Sequence, residues 1–284
     1  MNLCKTFQSR AISTWNLLRK ARVNTFQPGE ETITDLNLLE IKRKHPHEVI
    51  LYKFTKPQES VTGADWEWWL TGPKKLWLGL RIQAKVLRLE TGEFPYMYYR
   101  AKSSSKDQTD RLIESSVTGS PPRIPLYCLY ANWDVQAITY LRRHWRCGTF
   151  RPSARNFGCS LVSAFLIKHL KGVVKSQPKL HPMLFYMFPW QCLVCCRGYS
   201  NKDLPQRAYY WWQRAIIPLD LGVRASESGE DFLARYRLIH PVSEPPRYVL
   251  QLLEGHKPDR LDDPTLRGVV IIQELEVSES EDSS

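Results

Sequence analysis

Residues 62–87, TGADWEWWLTGPKKLWLGLRIQAKVL, contain the pattern that decides the fold. Aromatic and branched residues recur on both sides of segment 72–75 (GPKK), where Gly and Pro are typical of a turn. The stretch therefore predicts a β-hairpin centred near Lys74. In an antiparallel pair the numbers of facing residues add up to a constant, here about 147 to 149, so Asp65 is expected opposite Gln83.

The hairpin has one polar and one apolar face, because side chains alternate along a strand. By the same register Glu67 faces Arg81. The polar face carries Asp65, Glu67, Arg81, Gln83 and Lys85, and the apolar face carries Trp66, Trp68, Leu78, Leu80, Ile82, Ala84 and Val86. We expect the apolar face in the core and the polar face to carry the chemistry. For Glu67 and Arg81, a surface ion pair on a half-exposed sheet is the alternative.

The polar face offers ligands for a metal ion. A carboxylate and an amide oxygen about 5 Å apart across a hairpin, here from Asp65 and Gln83, can hold a hard cation such as Mg²⁺. Lys85 on the same face could orient an attacking water or stabilise charge on a phosphate oxygen. Glu31 is preferred over Glu30 as a second carboxylate, although acids at a helix start also complement the helix dipole.

The elements predicted around the hairpin complete an α/β core. Apolar periodicity and turn residues predict a helix, a strand, the two hairpin strands, a helix and a final strand, which is the order αβββαβ. These elements are expected at residues 30–44, 48–55, 64–70, 76–88, 106–117 and 124–130. The fold class is therefore α/β with a mixed central sheet, followed by a C-terminal α+β extension.

The pattern Asp65, seventeen intervening residues, then Gln83-Ala84-Lys85 resembles the active site of the PD-(D/E)XK nuclease superfamily. The similarity is to the Mrr-like branch, which has Q-x-K in place of E-x-K. The αβββαβ order is the restriction-endonuclease-like arrangement which that superfamily shares, and the match covers residues 29–132. The phrases TGADWEWWL, LRIQAKV and IPLYCLYAN are also similar to a bacterial family of unknown function.

This resemblance implies a nuclease that hydrolyses phosphodiester bonds with Mg²⁺ or Mn²⁺. Asp65, Gln83 and Glu31 would bind the metal, and Lys85 would be the catalytic lysine. Gln in place of the usual acid lowers the negative charge of the site and with it the metal affinity, for which Glu67 could compensate by serving a second ion. The alternatives are a catalytically inactive nucleic-acid-binding protein and an interaction protein that uses the same fold only as a scaffold.

The charge distribution favours a polyanionic partner. The chain has 40 Lys and Arg against 29 Asp and Glu, a formal net charge of +11 and a pI near 9.3. Segment 135–202 has no acidic residue and eleven basic ones, which is typical of a phosphate-binding surface. We expect nucleic acid, in the first place DNA, to contact Arg142, Arg143, Arg146, Arg151 and Arg155. Aromatic residues among these arginines could stack on bases but more often belong to a core.

Composition divides the chain into four parts. Residues 1–28 contain no acid and have helical apolar spacing, which predicts an amphipathic helix docked on the domain; a mitochondrial transit peptide has the same signature. Residues 29–134 are the predicted nuclease-like core, and residues 135–277 are a basic extension packed on it. The acidic end, residues 278–284, is expected to be disordered.

The cysteines predict a reducing compartment. Seven cysteines, an odd number without a secretory signal, indicate reduced thiols and a cytoplasmic protein. A zinc site built from the cysteines of segment 192–196 with Cys147 and Cys159 is the alternative, against which the apolar setting favours buried thiols. His45 and His47 are expected in a polar loop.

Several other classes of protein are disfavoured. The apolar run 158–174 predicts a core helix. A membrane span is not predicted, because the sequence has no uninterrupted run of about 18 apolar residues. Neither G-x-x-x-x-G-K-[ST] nor G-x-G-x-x-G occurs in the chain, which argues against ATP-driven or dinucleotide chemistry.

Overall fold

The structure is a computed structural model that describes residues 2–54, 64–100, 105–135, 151, 153–173, 176–195, 202–223, 238–258 and 266–275. Its helices are α1 (Leu3–Val23), α2 (Glu30–Lys44), α3 (Gln108–Val117), α4 (Ala164–Val173), α5 (Leu180–Met183), α6 (Cys192–Cys195), α7 (Leu204–Val223) and α8 (Arg247–Leu253). Its strands are β1 (Val49–Lys53), β2 (Trp66–Thr71), β3 (Trp77–Val86), β4 (Ile124–Tyr130), β5 (Cys159–Ser163), β6 (Phe188–Pro189) and β7 (Gly268–Gln273). A short 3₁₀ helix, Ala154–Gly158, precedes β5. The acidic end 278–284 lies outside the described residues.

The strands form one mixed sheet in the order β1-β7-β2-β3-β4-β5-β6. The pairs β2–β7 and β3–β4 are parallel, and the other neighbouring pairs are antiparallel. From α2 to β4 the chain follows the order αβββαβ, with each element close to its predicted position. The prediction of an α/β fold with a mixed central sheet is confirmed.

The hairpin of β2 and β3 has the predicted register. Glu67 lies opposite Arg81, and the Asp65 N–H donates to the Ile82 carbonyl oxygen at 3.0 Å, which places Asp65 beside Gln83. Every residue of both strands is buried, so the alternative of a half-exposed sheet with a surface ion pair is wrong. The physical reason is that other elements pack on both faces of the sheet.

Different helices cover the two faces. On one face α1 packs against the hairpin, where the rings of Phe7 and Trp68 lie 6.0 Å apart, centroid to centroid. On the other face the hydroxyl groups of Thr109 in α3 and Tyr127 in β4 are 2.9 Å apart. Tyr127 is the β4 partner of Gln83, and neighbouring partners share a face. The predicted polar face is therefore the face that α3 covers.

Helix α1 lies within residues 1–28, where the sequence predicts an amphipathic helix. The Asn2 side chain accepts a hydrogen bond from the Lys5 N–H at 3.0 Å, which caps the helix start. Phe7, Ala11 and Leu18 are fully buried at helical spacing. Their burial makes α1 a part of the core that covers the apolar face of the sheet.

Strand β7 lies between β1 and β2 although it comes from the C-terminal part of the chain. Gly268 permits this close approach. A Cβ at that position would lie 2.2 Å from the Trp66 ring and 2.5 Å from the Tyr52 carbonyl oxygen. The C-terminal extension thus contributes a strand to the interior of the central sheet.

The apolar run 158–174 is not a single helix, contrary to expectation. Its first part, Cys159–Ser163, is strand β5, and α4 begins at Ala164. Strand β5 pairs with β4 from Tyr130 opposite Cys159 to Leu126 opposite Ser163. The backbone hydrogen bonds that β4 offers outweigh the local helical preference, because strand formation depends strongly on context.

The expectation that all cysteines are reduced is wrong for two of them. Cys4 and Cys195 form a disulfide, which links α1 to α6 across 191 positions of sequence. The packing of α1 against α6 brings these two residues together, with their Cα atoms 4.9 Å apart. Among the described residues, Cys128, Cys159 and Cys192 are buried and are not disulfide-bonded. In the described part of the chain, no helix has the length and apolar character that a membrane crossing requires.

Candidate functional site

Asp65 and Gln83 contact each other at one end of the hairpin. The Asp65 Oδ2 atom accepts hydrogen bonds from Gln83 Nε2 at 2.6 Å and from the Ala84 backbone N–H at 3.0 Å. Burial raises the pKa of the Asp65 carboxyl, while the Ala84 hydrogen bond and the charge of Lys85 act in the opposite direction. The site thus contains a carboxylate whose negative charge is poorly solvated.

Lys85 lies against a second carboxylate, that of Glu30. The Lys85 side chain is 7% exposed, and its Nζ atom lies 3.6 Å from Glu30 Oε1. Burial raises the pKa of the Glu30 carboxyl, Lys85 lowers it, and the negative charge of Asp65 raises it further. Glu30 is the first residue of α2, so the start of this helix reaches the end of the hairpin.

Glu31, the predicted helix carboxylate, has a different partner. Its Oε2 atom lies 2.5 Å from an Nη atom of Arg267, which directly precedes β7. Successive residues of a helix project about 100° apart, and here Glu30 points toward Lys85 while Glu31 points toward Arg267. The structure therefore brings Glu30, and not Glu31, to Lys85 and Asp65.

The Gln83 amide is held from both sides. Gln108, the first residue of α3, donates from its Nε2 atom to Gln83 Oε1 at 3.0 Å. The Gln83 nitrogen consequently faces Asp65 and its oxygen faces Gln108. A half-turn about the last side-chain torsion of Gln83 would bring its oxygen to the Asp65 side and its nitrogen to the Gln108 side.

Glu67 is the centre of a buried polar network and does not serve the Asp65 cluster. Its carboxylate lies 3.1 Å from Arg81 Nε and 3.0 Å from Arg123 Nε, and it accepts a hydrogen bond from Trp69 Nε1 at 2.7 Å. The Tyr248 hydroxyl donates to the same carboxylate. Both oxygens of Glu67 are thus engaged, which leaves no free oxygen for the second metal ion considered from the sequence.

The arginines predicted to bind nucleic acid are only partly visible. Arg142, Arg143 and Arg146 lie outside the described residues. Arg151 and Arg155 are exposed at the surface, and the 3₁₀ helix that contains Arg155 packs against α1. In the described part of the chain, Arg151 and Arg155 are therefore surface residues near α1, the helix that covers the apolar face of the sheet.

The donor atoms at the hairpin end suit a hard cation. Asp65 and Glu30 offer carboxylate oxygens and Gln83 an amide oxygen, which are the ligand types that Mg²⁺ prefers. Within the described residues, no three His, Cys, Asp or Glu side chains form a group that could hold a metal ion, so a site here depends on the Gln83 oxygen.

The zinc alternative does not fit the cysteines that are described. Cys195 is disulfide-bonded to Cys4. The Cys159 thiol donates to Thr14 Oγ1 at 3.3 Å, and burial raises its pKa well above the ordinary value. Cys147 lies outside the described residues. A thiolate ligand set is therefore disfavoured, because zinc binds the deprotonated sulfur.

His45 and His47 lie in the loop between α2 and β1, as expected, but His45 is buried whereas His47 is exposed. His45 caps the end of α2, is 3% exposed, and contacts the Thr6 hydroxyl at 2.8 Å through Nε2 and the Glu48 carboxylate through Nδ1. These contacts give this histidine a structural place between α1 and the start of β1.

Three residues of the site were not selected from the sequence. The sequence favours Glu31 over Glu30, because packing, and not local sequence, sets the rotation of α2 relative to the sheet. Gln108 and Arg267 carry no motif, and their positions beside Gln83 and Asp65 arise from tertiary contacts. The first-turn position of Gln108 in a predicted helix was the one available signal, since αβββαβ topology brings that helix start near the hairpin end.

The fold and this cluster define an α/β protein with a polar, carboxylate-containing site at one end of a mixed seven-stranded sheet. The chain belongs to the family described as Family of unknown function (DUF6615), whose model matches residues 3–278. No curated protein matches the chain. No solved structure matches it either.

Proposed function

We propose that the protein is a metal-dependent nuclease that hydrolyses phosphodiester bonds. The proposal depends mainly on the arrangement of the Asp65 carboxylate, the Glu30 carboxylate and the Lys85 ammonium group at the end of the hairpin. Metal-assisted phosphodiester hydrolysis requires oxygen ligands for a hard cation and a positive group near the phosphate. These three side chains have the chemistry for both tasks.

The residues would divide the work as follows. With the Gln83 amide rotated so that its oxygen faces Asp65, this oxygen and the carboxylates of Asp65 and Glu30 would hold Mg²⁺ or Mn²⁺. Glu30 here replaces Glu31, the carboxylate that the sequence predicts. The ion, when bound, supplies Lewis-acid polarisation of the phosphate. Lys85 would orient the attacking water or stabilise charge on a phosphate oxygen. A bond forms from the water oxygen to phosphorus, and the bond from phosphorus to the leaving strand breaks.

The order of elements supports this assignment. The αβββαβ order, the hairpin register and the shared face of Asp65, Gln83 and Lys85 agree with the resemblance to the PD-(D/E)XK nucleases. A fold alone does not fix a function, so this likeness counts only together with the residues of the site.

Charge supports nucleic acid as the substrate. The net charge of +11 and the acid-free segment 135–202 favour binding to a phosphate backbone. DNA remains the expected substrate. The cytoplasm is the proposed place of action, because nucleic acids occur inside the cell. The Cys4–Cys195 disulfide argues against this compartment, since disulfides are rare in the reducing cytoplasm.

The orientation of Gln83 favours a second candidate function, a nucleic-acid-binding protein without catalysis. With its nitrogen toward Asp65 and its oxygen held by Gln108, the Gln83 amide satisfies the carboxylate without a metal ion. In such a protein the Asp65–Gln83 contact would be purely structural.

Cleavage assays separate the two functions. Labelled single-stranded DNA, double-stranded DNA and RNA are incubated with Mg²⁺, Mn²⁺ or a chelator. We expect metal-dependent cleavage that falls at least about 100-fold in Asp65→Ala and in Lys85→Ala, since each variant removes one group that acts on the reacting phosphate.

Lys106→Ala and Glu114→Ala are matched controls. These residues form an exposed ion pair, with Lys106 Nζ 2.6 Å from Glu114 Oε1, and their loss should leave cleavage unchanged. Gln83→Glu adds the acid usual in the resembled superfamily and should lower the metal concentration needed for cleavage. Binding of nucleic acid without cleavage in wild type and in Gln83→Glu would establish the non-catalytic function instead.

A further inference from the structure

Arg267 stands directly beside Asp65. Its backbone N–H donates to the Asp65 carbonyl oxygen at 2.8 Å, and the parallel register pairs the next residues, Gly268 and Trp66. Directly opposed residues of neighbouring strands project to the same face. The Arg267 side chain therefore leaves the sheet on the same face as the carboxylate of Asp65.

Arg267 is partly exposed to solvent, whereas Lys85 is almost fully buried. The Arg267 side chain is 26% exposed and that of its partner Glu31 is 63% exposed, while Lys85 is 7% exposed. A nucleic-acid strand that approaches the hairpin end would thus contact the Arg267 guanidinium before the Lys85 ammonium group. Glu31 could move away with little loss of buried contact, because most of its side chain is already in water.

The negative charges around Arg267 would repel a phosphodiester unless a cation faces the substrate. Glu30, Glu31 and Asp65 carry negative charge at the hairpin end, and a phosphodiester brings more. Burial acts to lower the pKa of Arg267, but Glu31, Asp65 and Asp35 together outweigh burial and keep the pKa above its ordinary value. Arg267 therefore stays charged, and its planar fork fits a phosphate as well as a carboxylate.

We propose that Arg267 binds a non-bridging phosphate oxygen of the nucleic-acid strand beside Asp65, and that Glu31 holds the same guanidinium when no strand is bound. The inference depends on the proposed function for its ligand, a phosphodiester strand, and not for catalysis. Glu31 is then a competitor of the substrate, and the strand and Glu31 exchange places on Arg267.

The competing explanation is that Arg267 and Glu31 form an ion pair that only stabilises the fold. The two explanations predict different directions of change in nucleic-acid affinity. If the pair only stabilises the fold, Arg267→Gln and Glu31→Gln should weaken nucleic-acid binding alike, or not affect it. If Glu31 competes with phosphate, Arg267→Gln should weaken binding and Glu31→Gln should strengthen it. In the double variant the effect of Glu31→Gln should disappear, because its target is gone.

The test is fluorescence anisotropy of a labelled oligonucleotide with the full chain, in a chelator and over a series of salt concentrations. We expect Arg267→Gln to weaken binding about tenfold and to reduce the slope of log affinity against log salt by roughly 0.7 to 0.9, the value for one phosphate contact. We expect Glu31→Gln to tighten binding about threefold, as for the loss of a modest surface ion pair. Arg267→Lys should lie between wild type and Arg267→Gln.

Arg43 and Glu40 provide the matched controls. They form an exposed ion pair at the far end of α2, with Arg43 Nε 2.8 Å from Glu40 Oε2. Arg43→Gln and Glu40→Gln change the net charge as the test variants do. Both should move the affinity less than the Arg267 and Glu31 variants, and circular dichroism with thermal melting shows that each variant is folded.

The outcomes separate this inference from the proposed function. Binding by Arg267→Gln that equals the Arg43→Gln control, or weaker binding by Glu31→Gln, overturns the phosphate role of Arg267 and leaves the nuclease proposal intact. Cleavage that fails while the Arg267 and Glu31 effects appear overturns catalysis and supports the inference. A wild-type protein that neither binds nor cleaves nucleic acid overturns both.

Discussion

Asp65 carries its negative charge at a cost to the folded state. Its pKa is raised chiefly by burial, which disfavours the ionised form. Such a group stabilises the fold most below the pKa it has in the unfolded chain, and this contribution is lost as the pH rises through the higher pKa of the folded chain. A carboxylate kept in this state suits a site that binds a cation.

The variant Asp65→Asn tests this cost, because Asn keeps an oxygen acceptor and cannot ionise. We expect the melting temperature of Asp65→Asn, relative to wild type in a chelator, to increase as the pH rises from acidic to neutral. Differential scanning fluorimetry over a pH series measures the difference. A melting temperature of Asp65→Asn that falls relative to wild type as the pH rises would contradict the raised pKa of Asp65.

Glu40→Gln is the control of opposite sign. Hydrogen bonds from Arg43 and Lys44 lower the pKa of Glu40 to about 2. The stabilisation from the Glu40 carboxylate is therefore present above the pKa that it has in the unfolded chain. The melting temperature of Glu40→Gln relative to wild type should fall as the pH rises. This fall should be small, because exposed ion pairs contribute little.

Glu67 holds two buried arginines in place. It is fully buried, and Arg81 and Arg123 are 3% and 0% exposed. Replacing one partner of such a group leaves charges uncompensated in a medium of low polarity. Glu67 therefore belongs to the stability of the hairpin, even though the sequence places it on the same face as Asp65.

The variant Glu67→Gln should lower the free energy of unfolding by about 3 to 5 kcal/mol, as is usual when a buried ion pair loses one partner. Urea denaturation followed by circular dichroism measures this value. Glu114→Gln, which breaks an exposed pair with Lys106, should cost at most about 1 kcal/mol. Equal effects of the two substitutions would show that the Glu67 network is open to water.

Strand β7 connects the C-terminal part of the chain to the site. It pairs with β1 on one side and with β2 on the other, and Arg267 directly precedes it. Parallel pairing with β2 puts the starts of both strands at the same end of the sheet. The site therefore combines residues from α2, the hairpin, α3 and the C-terminal strand.

The variant Gly268→Ala should disturb this insertion. Its Cβ would meet the Trp66 ring at 2.2 Å and the Tyr52 carbonyl oxygen at 2.5 Å, so the strands must move apart. We expect a loss of about 1 to 3 kcal/mol or more in the free energy of unfolding, the usual cost of overpacking. Gly172→Ala in α4 is the control, because its Cβ meets nothing within 4 Å and alanine favours a helix by up to about 1 kcal/mol. Equal stability of the two variants would argue against the placement of β7.

The periodicity of apolar residues correctly predicted the helices and strands in which that periodicity is strong. The hairpin, α2, α3 and β4 were predicted near their observed positions, because each combines clear alternation or helical spacing with turn residues at its ends. The pattern failed for Cys159–Ser163, where the choice between helix and strand depends on the free edge of β4.

Across the whole molecule, the disulfide between Cys4 and Cys195 ties the first helix to a helix of the C-terminal half. A crosslink between positions so far apart in sequence restricts the unfolded chain, which is one source of the stability that disulfides provide. Helix α1 is thereby fixed to the sheet by both apolar packing and a covalent bond.

The variant Cys195→Ser should lower the free energy of unfolding by about 2 to 4 kcal/mol under oxidising conditions. Chemical denaturation with and without a reductant measures the effect, and the reductant should lower wild type toward the variant. Mass spectrometry of an unreduced digest should show the peptide of Cys4 joined to that of Cys195. Recovery of both as free alkylated thiols would contradict the pairing.

The residue types and their periods dictate the hairpin, its register, the shared face of Asp65, Gln83 and Lys85, and the αβββαβ order. These features depend on near neighbours in sequence, for which alternation and turn chemistry are sufficient. The insertion of β7, the choice of Glu30 over Glu31, the pairing of Arg267 with Glu31 and the burial of Glu67 between two arginines were decided by packing. Each of them joins segments distant in the chain, and no local period records which distant segment will cover a given face.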